Sequence, residues 1–200
     1  AILLMTQLGN LGGDALLDVL TGKVNPSGKT TDTWAKNYMD YPSSAKFSHN
    51  GSVHDEMYED GIYVGYRYFD SFGVKPLYCF GYGKSYTDFE IKAGKISVEG
   101  NEIQIPVTVK NTGNCTGTET LQLYIHDIAA SVVRPVRELK DFKKVTLRPG
   151  EEKKVVFTIT EQQLLFLTEN GIYESEAGEF EIFIGKDSLT DNKASFVLKK

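Results

Sequence analysis

Ile103-Gln104-Ile105-Pro106-Val107-Thr108-Val109-Lys110-Asn111-Thr112-Gly113 carries an apolar side chain at every second position and closes on a turn. Successive side chains of a β-strand point to opposite faces, so a period of two marks a strand with one face buried. The pattern recurs downstream. Leu121, Leu123 and Ile125 alternate with Gln122, Tyr124 and His126. Val155, Phe157 and Ile159 form a third set, and Phe180, Ile182 and Ile184 a fourth. Turn signals separate the sets: Asn111-Thr112-Gly113-Asn114, Arg148-Pro149-Gly150, Asn170-Gly171 and Ala177-Gly178. Further strands fit residues 91–98, 139–147, 172–175 and 194–198. About seven strands at this spacing predict an all-β sandwich of immunoglobulin-like, fibronectin type III-like kind over residues 89–200.

Residues 1–88 read differently. Ala1-Ile2-Leu3-Leu4-Met5 is a short apolar run followed by Gly9, Gly12 and Gly13, the pattern of a strand buried on both faces of a parallel sheet. Asp14, Leu16, Leu17 and Leu20, with Gly22 and Pro26 beyond them, predict a short helix and its stop. Strand, glycine turn and helix make one unit of an α/β layer. A single unit cannot cover its own strand, so the rest of the layer is expected in preceding sequence. Residues 25–57 are polar and turn-rich and are expected to form a long surface loop, functional or packed against a partner. Nearly half of the aromatic residues then fall within residues 58–89, interleaved with Gly61, Gly65, Gly73, Gly81 and Gly83. Such a segment suits inter-domain packing, and a stacking surface for sugar rings is the functional reading beside it. The division expected is therefore residues 1–88, the end of an α/β domain with loop and aromatic connector, and residues 89–200, the sandwich.

Composition excludes several classes. A formal net charge of −5 argues against a nucleic-acid binder. No apolar run approaches the roughly 20 residues of a membrane span. Cys79 and Cys115 form neither a disulfide framework nor a metal-ligand pattern, and two free thiols lean towards a reducing, cytoplasmic compartment. No cofactor or metal is implied. Gly9, Gly12 and Gly13 lack the spacing of a dinucleotide fingerprint, and no Gly-Lys-Ser/Thr closes a phosphate loop. Asn50-Gly51-Ser52 and Asn114-Cys115-Thr116 are glycosylation-type triplets of little weight without a secretory route. Of the histidines His49, His54 and His126, the last is expected as a solvated residue at a strand edge. His54-Asp55-Glu56, followed by Tyr58, is the best candidate for contact with a ligand or a further domain. Arg134-Pro135-Val136-Arg137-Glu138-Leu139-Lys140 mixes signs and is expected as a solvated edge strand. No pair of carboxylates is visibly held across a sugar-sized gap.

Several stretches resemble the family-3 glycoside hydrolases, the β-glucosidase family. They are Gly12-Gly13-Asp14-Ala15-Leu16-Leu17-Asp18-Val19-Leu20-Thr21-Gly22 with Asn25-Pro26-Ser27-Gly28-Lys29, then Asp60-Gly61-Ile62-Tyr63-Val64-Gly65-Tyr66-Arg67-Tyr68-Phe69-Asp70, and Pro76-Leu77-Tyr78-Cys79-Phe80-Gly81-Tyr82-Gly83-Lys84-Ser85-Tyr86-Thr87. Val109-Lys110-Asn111-Thr112-Gly113, Gln122-Leu123-Tyr124-Ile125, residues 134–142 and Leu147-Arg148-Pro149-Gly150-Glu151 resemble that family's fibronectin type III-like domain. The resemblance implies a retaining β-glycosidase with a (β/α)8-type barrel, an Asp nucleophile from that barrel and a Glu acid/base from the α/β domain. Neither catalytic motif has a matching position here, so no catalytic residue is assigned to this chain. The barrel is a missing partner, and the resemblance leaves open on which side it lies. An oligosaccharide or β-glucoside substrate is expected through the full-length enzyme, with His54, Asp55, Glu56 and Tyr58 as candidates for the substrate rim. A non-catalytic carbohydrate-binding module and a structural spacer are the alternatives from other classes.

Overall fold

The computed structural model describes every residue except Ala1, Ser48, His49, Asn50, Val53, Asn101 and Lys200. Residues 89–200 form two antiparallel sheets of four strands. The first contains β1 (Phe89–Ala93), β2 (Ser97–Glu99), β3 (Glu102–Asn111) and β6 (Glu152–Thr160), with β3 in the middle. The second runs in the order β10 (Lys193–Leu198), β9 (Gly178–Gly185), β4 (Gly117–Asp127), β5 (Glu138–Leu147). A four-residue helix α3 (Glu161–Leu164) and a two-residue ribbon, β7 (Phe166–Leu167) with β8 (Tyr173–Glu174), complete the sandwich.

The register sets apolar residues opposite one another on the inner faces. Ile103 pairs with Ile159 and Ile105 with Phe157 in the first sheet. Ile125 pairs with Ile182 and Leu123 with Ile184 in the second. Phe180 opposes Phe196 with the rings stacked 5.2 Å apart. These side chains belong to one core that excludes water almost completely. Each such burial stabilises by about 1.5–3 kcal/mol, the main favourable term available to a sandwich.

Pro106 sits inside the central strand β3, where a residue without an N–H is normally excluded. The reason it fits is local. In an antiparallel strand, the N–H and C=O of one residue face the same neighbour. The Pro106 carbonyl accepts from Gly94 N at 2.7 Å, so its missing donor faces residues 94–96, the gap between β1 and β2. The single strand expected over residues 91–98 is accordingly two strands, broken where β3 has nothing to donate.

Helix α1 (Gly12–Leu20) forms as expected and ends before Gly22, whose φ of 75° only glycine adopts without strain. The strand expected at residues 1–5 does not form over Ile2 to Met5, and Ile2, Leu3 and Leu4 are exposed. No described strand lies alongside to take up their backbone N–H and C=O groups, and a strand exists only as a member of a sheet. Gly12 packs against Leu8, which a Cβ would approach to 2.4 Å, so it serves the turn before the helix and not a helix–sheet contact.

Helix α2 (Tyr66–Ser71) was not legible as a helix. Its N-terminal neighbour Gly65 has φ 58°, ψ −133°, again a glycine conformation. The helix joins the two halves. Tyr66 meets Phe80 and the fully buried Tyr124 of β4, with ring centroids 5.1 and 5.6 Å away. The Tyr66 hydroxyl accepts from Leu139 N at 2.8 Å, and Ser71 Oγ accepts from Val136 N at 3.2 Å.

Those contacts explain why β4 departs from simple alternation. Thr120, Gln122 and Tyr124 are buried as well as Leu121, Leu123 and Ile125, because residues 25–88 cover the outer face of the second sheet, and Glu119 is buried too. Lys29 reaches across to Glu119 at 2.7 Å with both side chains largely buried. Gly81 lies so close to Gln122 that a Cβ would come within 2.3 Å of its amide. Asn25 clamps the same seam: its Oδ1 accepts from Tyr86 N and Ser85 Oγ, and its Nδ2 donates to Thr116 O.

Two further expectations are corrected. His126 lies near the end of β4, paired there with Glu181 of β9, and its Nδ1 is 3.5 Å from Glu181 Oε2, so it is half-buried against a neighbouring strand and not a solvated edge residue. Residues 134–140 lead into a true edge strand, but Arg134 and Arg137 are largely buried. Arg134 pairs with Asp127 and Glu138, and Arg137 pairs with Asp70 of α2. Mixed charge here signals ion pairs at a seam, where each cation has a local carboxylate partner.

Candidate functional site

The loop that carries the candidate rim residues is held by its own short-range bonds. Ser52 Oγ accepts from His54 N at 3.2 Å and Asp55 N at 3.0 Å, and donates to Asp55 Oδ2 at 3.2 Å. A serine hydroxyl that takes up two successive backbone donors fixes a tight turn. An ion pair of 2.6 Å between Lys46 and Glu59 draws the two limbs of the loop together. On this turn His54, Asp55 and Tyr58 are exposed and Glu56 is half-buried; Tyr58 is 92% exposed. Asp60 follows, its backbone carbonyl accepting from Tyr63 N and one carboxylate oxygen enclosed without a hydrogen-bond partner. His49 and Asn50, of the sequence reading, lie outside the described residues.

The chain either side of that turn is anchored by rings. Trp34 N donates to Tyr78 O at 2.8 Å and Leu77 N to Trp34 O at 2.7 Å, so residues 30–34 run antiparallel to residues 77–82. The Tyr41 hydroxyl accepts from Ala35 N, and its ring meets the buried Phe69 of α2 at 5.9 Å. Tyr68, Phe72 and Tyr63 continue the chain of aromatic contacts, with centroids 5.0 Å apart at each step. The long loop is thus pinned to α2, and α2 to the sandwich. The aromatic segment is chiefly a packing device. Tyr58 is its most exposed ring, with Phe72 and Tyr86 also exposed.

Beneath α2 lies the main charged cluster of the seam. Arg137 Nη1 donates to Ser188 O at 2.6 Å and Thr190 O at 3.1 Å, and its guanidinium lies 4.2 Å from the centre of the Phe183 ring. Its Nε is 3.6 Å from Asp70 Oδ2. Burial pushes the Asp70 carboxyl up to about 6, Arg137 opposing the rise and the nearby Asp187 adding to it. Burial, with Asp187, likewise pushes the Cys79 thiol up to about 11 and the Tyr124 phenol up. Cys79 is therefore an un-ionised, unreactive thiol at neutral pH. None of this could be read from the sequence, because Asp70, Arg137 and Asp187 are distant in it.

Among the described residues no three His, Cys, Asp or Glu side chains gather as a metal site, and no helix is long and apolar enough to cross a membrane. Two open surface concavities are lined by Thr116, Thr146 and residues 148–151, and by Thr160, Glu161, Gln162 and Leu165. Neither includes a candidate rim residue. On this chain the candidate rim residues can offer hydrogen bonds and a ring face to a ligand, but they do not enclose one.

Two family models match the chain. One, described as the glycosyl hydrolase family 3 C-terminal domain, matches residues 1–66; the other, described as a fibronectin type III-like domain, matches residues 119–188. Beta-glucosidase BoGH3A of Bacteroides ovatus is 44% identical over 189 residues, covering 90% of this chain and 25% of its own length. Thermostable beta-glucosidase B of Acetivibrio thermocellus is 44% identical over 185 residues, with 90% and 24% covered. The crystal structure of beta-glucosidase from Kluyveromyces marxianus in complex with glucose superposes with a TM-score of 0.88 at 36% identity, over 94% of this chain and 23% of that one. That of beta-glucosidase 3B from Thermotoga neapolitana in complex with glucose gives 0.88 at 39%, over 97% and 27%. The chain thus spans about a quarter of the length of the curated relatives it matches.

Proposed function

This chain belongs to the family-3 glycoside hydrolases, and from that premise we propose that it is the C-terminal part of a retaining β-glycosidase, a β-glucosidase that removes terminal β-linked glucose from oligosaccharides or glycosides. The observation that carries the proposal is the 44% identity to two β-glucosidases across 90% of this chain. In a retaining hydrolase one carboxylate attacks the anomeric carbon while a carboxylic acid protonates the leaving oxygen, and the second then activates water to release the sugar. Both groups belong to other parts of the protein in this reading: the nucleophile to a (β/α)8-type barrel and the acid/base to the remainder of the α/β domain. This chain contributes scaffold and rim.

The division into residues 1–88 and 89–200 is part of the proposal. It is supported by the change from loop and short helix to continuous antiparallel strands at Phe89. The rim is the turn bearing His54, Asp55, Glu56 and Tyr58. Its support is the exposed Tyr58 ring on a loop fixed at both ends, since an aromatic face beside polar groups suits a sugar. The rigid seam supplies the mechanical role: it holds that loop at a set position relative to the sandwich.

The test is direct. The chain alone, incubated with a chromogenic aryl β-glucoside, should show no turnover above buffer. The full-length protein should hydrolyse it with retention at the anomeric carbon, followed by NMR of the first-formed sugar. Turnover by the chain alone, or an inverted product from the full-length enzyme, refutes the assignment.

A further inference from the structure

We propose that Asp70, Arg137 and Asp187 form a proton-operated latch at the seam between α2 and the sandwich, which tightens when Asp70 takes up one proton from solvent. The geometry is that of a crowded, incompletely paired cluster. Asp70 lies on the face of α2 that also presents Tyr66, one turn away, to the second sheet. Its Oδ2 is buried 3.6 Å from Arg137 Nε, and among the described residues neither atom has a hydrogen-bond partner. Arg137 directs its Nη1 elsewhere, to the carbonyls of Ser188 and Thr190 in the turn after β9. That same turn brings Asp187, whose carboxylate accepts from Leu189 N at 3.1 Å. The groups that face Asp70 electrostatically are therefore one cation, from the approach to β5, and one further anion, from the turn after β9. Cys79 from the aromatic segment, Tyr124 from β4 and Tyr66 from α2 complete the cluster, and burial keeps the Cys79 thiol and the Tyr124 phenol neutral. With both carboxylates ionised the cluster holds a surplus negative charge in a site poor in water. One proton removes it.

The sign follows from linkage. Desolvation raises the folded-state value of Asp70 to about 6, above the unfolded value of 3.8. Between those values the closed seam binds more protons than an opened one, so the seam gains stability as pH falls from 7 towards 4. The seam is read by two amides that donate to α2: Val136 N to Ser71 Oγ and Leu139 N to Tyr66 Oη. Their hydrogen-exchange protection, corrected for the intrinsic rate and followed by NMR on the whole chain, should be about tenfold greater at pH 5 than at pH 7. Asp70→Asn should abolish the difference and be at least as protected as the parent at pH 7. Asp187→Asn keeps the acceptor for Leu189 N and removes the surplus anion, so it should shrink the difference; it carries the test if Asp70→Asn does not fold. Equal protection at both pH values in the parent overturns the latch. So does a pH response that survives in Asp70→Asn or is unchanged in Asp187→Asn.

Discussion

Replacing Asn111 by leucine should cost this chain about 3 kcal/mol of stability. Asn111 closes β3 and is wholly buried. All of its amide capacity is used: Oδ1 accepts from Thr87 Oγ1 at 2.7 Å and Gly113 N at 3.0 Å, and Nδ2 donates to Cys115 O at 2.8 Å and Leu147 O at 3.0 Å. One side chain thus ties the end of β3 to the end of β5, to the turn before β4 and to the segment arriving from the first half. Leucine has the same branched heavy-atom skeleton, though it is bulkier, and makes none of these bonds. The Thr87 hydroxyl and the Leu147 carbonyl are left buried and unpaired, at about 1–3 kcal/mol each, while water can reach Gly113 N and Cys115 O. The leucine's own burial returns about 1–2 kcal/mol. The assay is urea unfolding followed by far-UV circular dichroism, with the slope of the transition unchanged. Asn111→Asp sharpens it. A carboxylate keeps both accepted bonds but faces two carbonyl oxygens, so its folded-state affinity for a proton rises. The variant should lose more than leucine at pH 7 and recover as pH falls through that raised value. A loss below about 1 kcal/mol for Asn111→Leu, or no pH-dependent recovery for Asn111→Asp, would show that the network is dispensable and the reasoning wrong.

The buried pair at the seam should behave asymmetrically. Lys29→Met alone leaves Glu119 charged and uncompensated and should cost about 3–5 kcal/mol in thermal or urea unfolding, whereas Lys29→Met with Glu119→Leu should fall within about 1 kcal/mol of the parent; equal losses in the two would contradict this account. Gly83→Ala puts a Cβ 2.3 Å from the Gly28 carbonyl oxygen, a backbone atom that cannot swing away. It should destabilise by about 1–3 kcal/mol and make Trp34 more accessible to acrylamide quenching, while Gly178→Ala, which meets nothing within 4 Å, should leave both unchanged. Tyr66→Phe removes the acceptor of Leu139 N and should cost about 1–2 kcal/mol, with faster exchange of that amide as the direct readout.

The period-two runs at 103–109, 121–125, 155–159 and 180–184 placed four strands, within two residues of both ends for β3 and β9 but three to four residues late at the starts of β6 and β4, because alternation records directly which side chains face the core. The breaks were less visible. Residues 91–98 are apolar enough to pass for one strand, although Ile91 and Ala93 fall out of phase with Ile96 and Val98 across Gly94, and Pro106 on the neighbouring strand gives the gap its physical reason. The candidate rim residues were legible as a polar cluster beside an aromatic segment, and the structure places them within one stretch of loop, His54 and Asp55 in the bend that Ser52 closes. The local bonds there are those of Ser52 and the Lys46–Glu59 pair, and neither has a signature in local sequence.

By itself, then, the sequence determined the sandwich, the helix α1, the change of character near Phe89 and the family, since these rest on periodicity, turn residues and local motifs. Tertiary structure alone decided what lies between the halves. The burial of Gln122 and Tyr124 on the outer face of β4, the pairing of Glu119 with Lys29, the helix α2 built from aromatic residues, and the meeting of Asp70 with Arg137 each depend on partners many residues away. Arg134 to Lys140 shows the reason most plainly. Its mixed charges look like a solvated edge from within the strand, and become a seam only when Asp70 and Asp127 are brought against them, because the free energy of a charge depends on its surroundings and not on its neighbours in the chain.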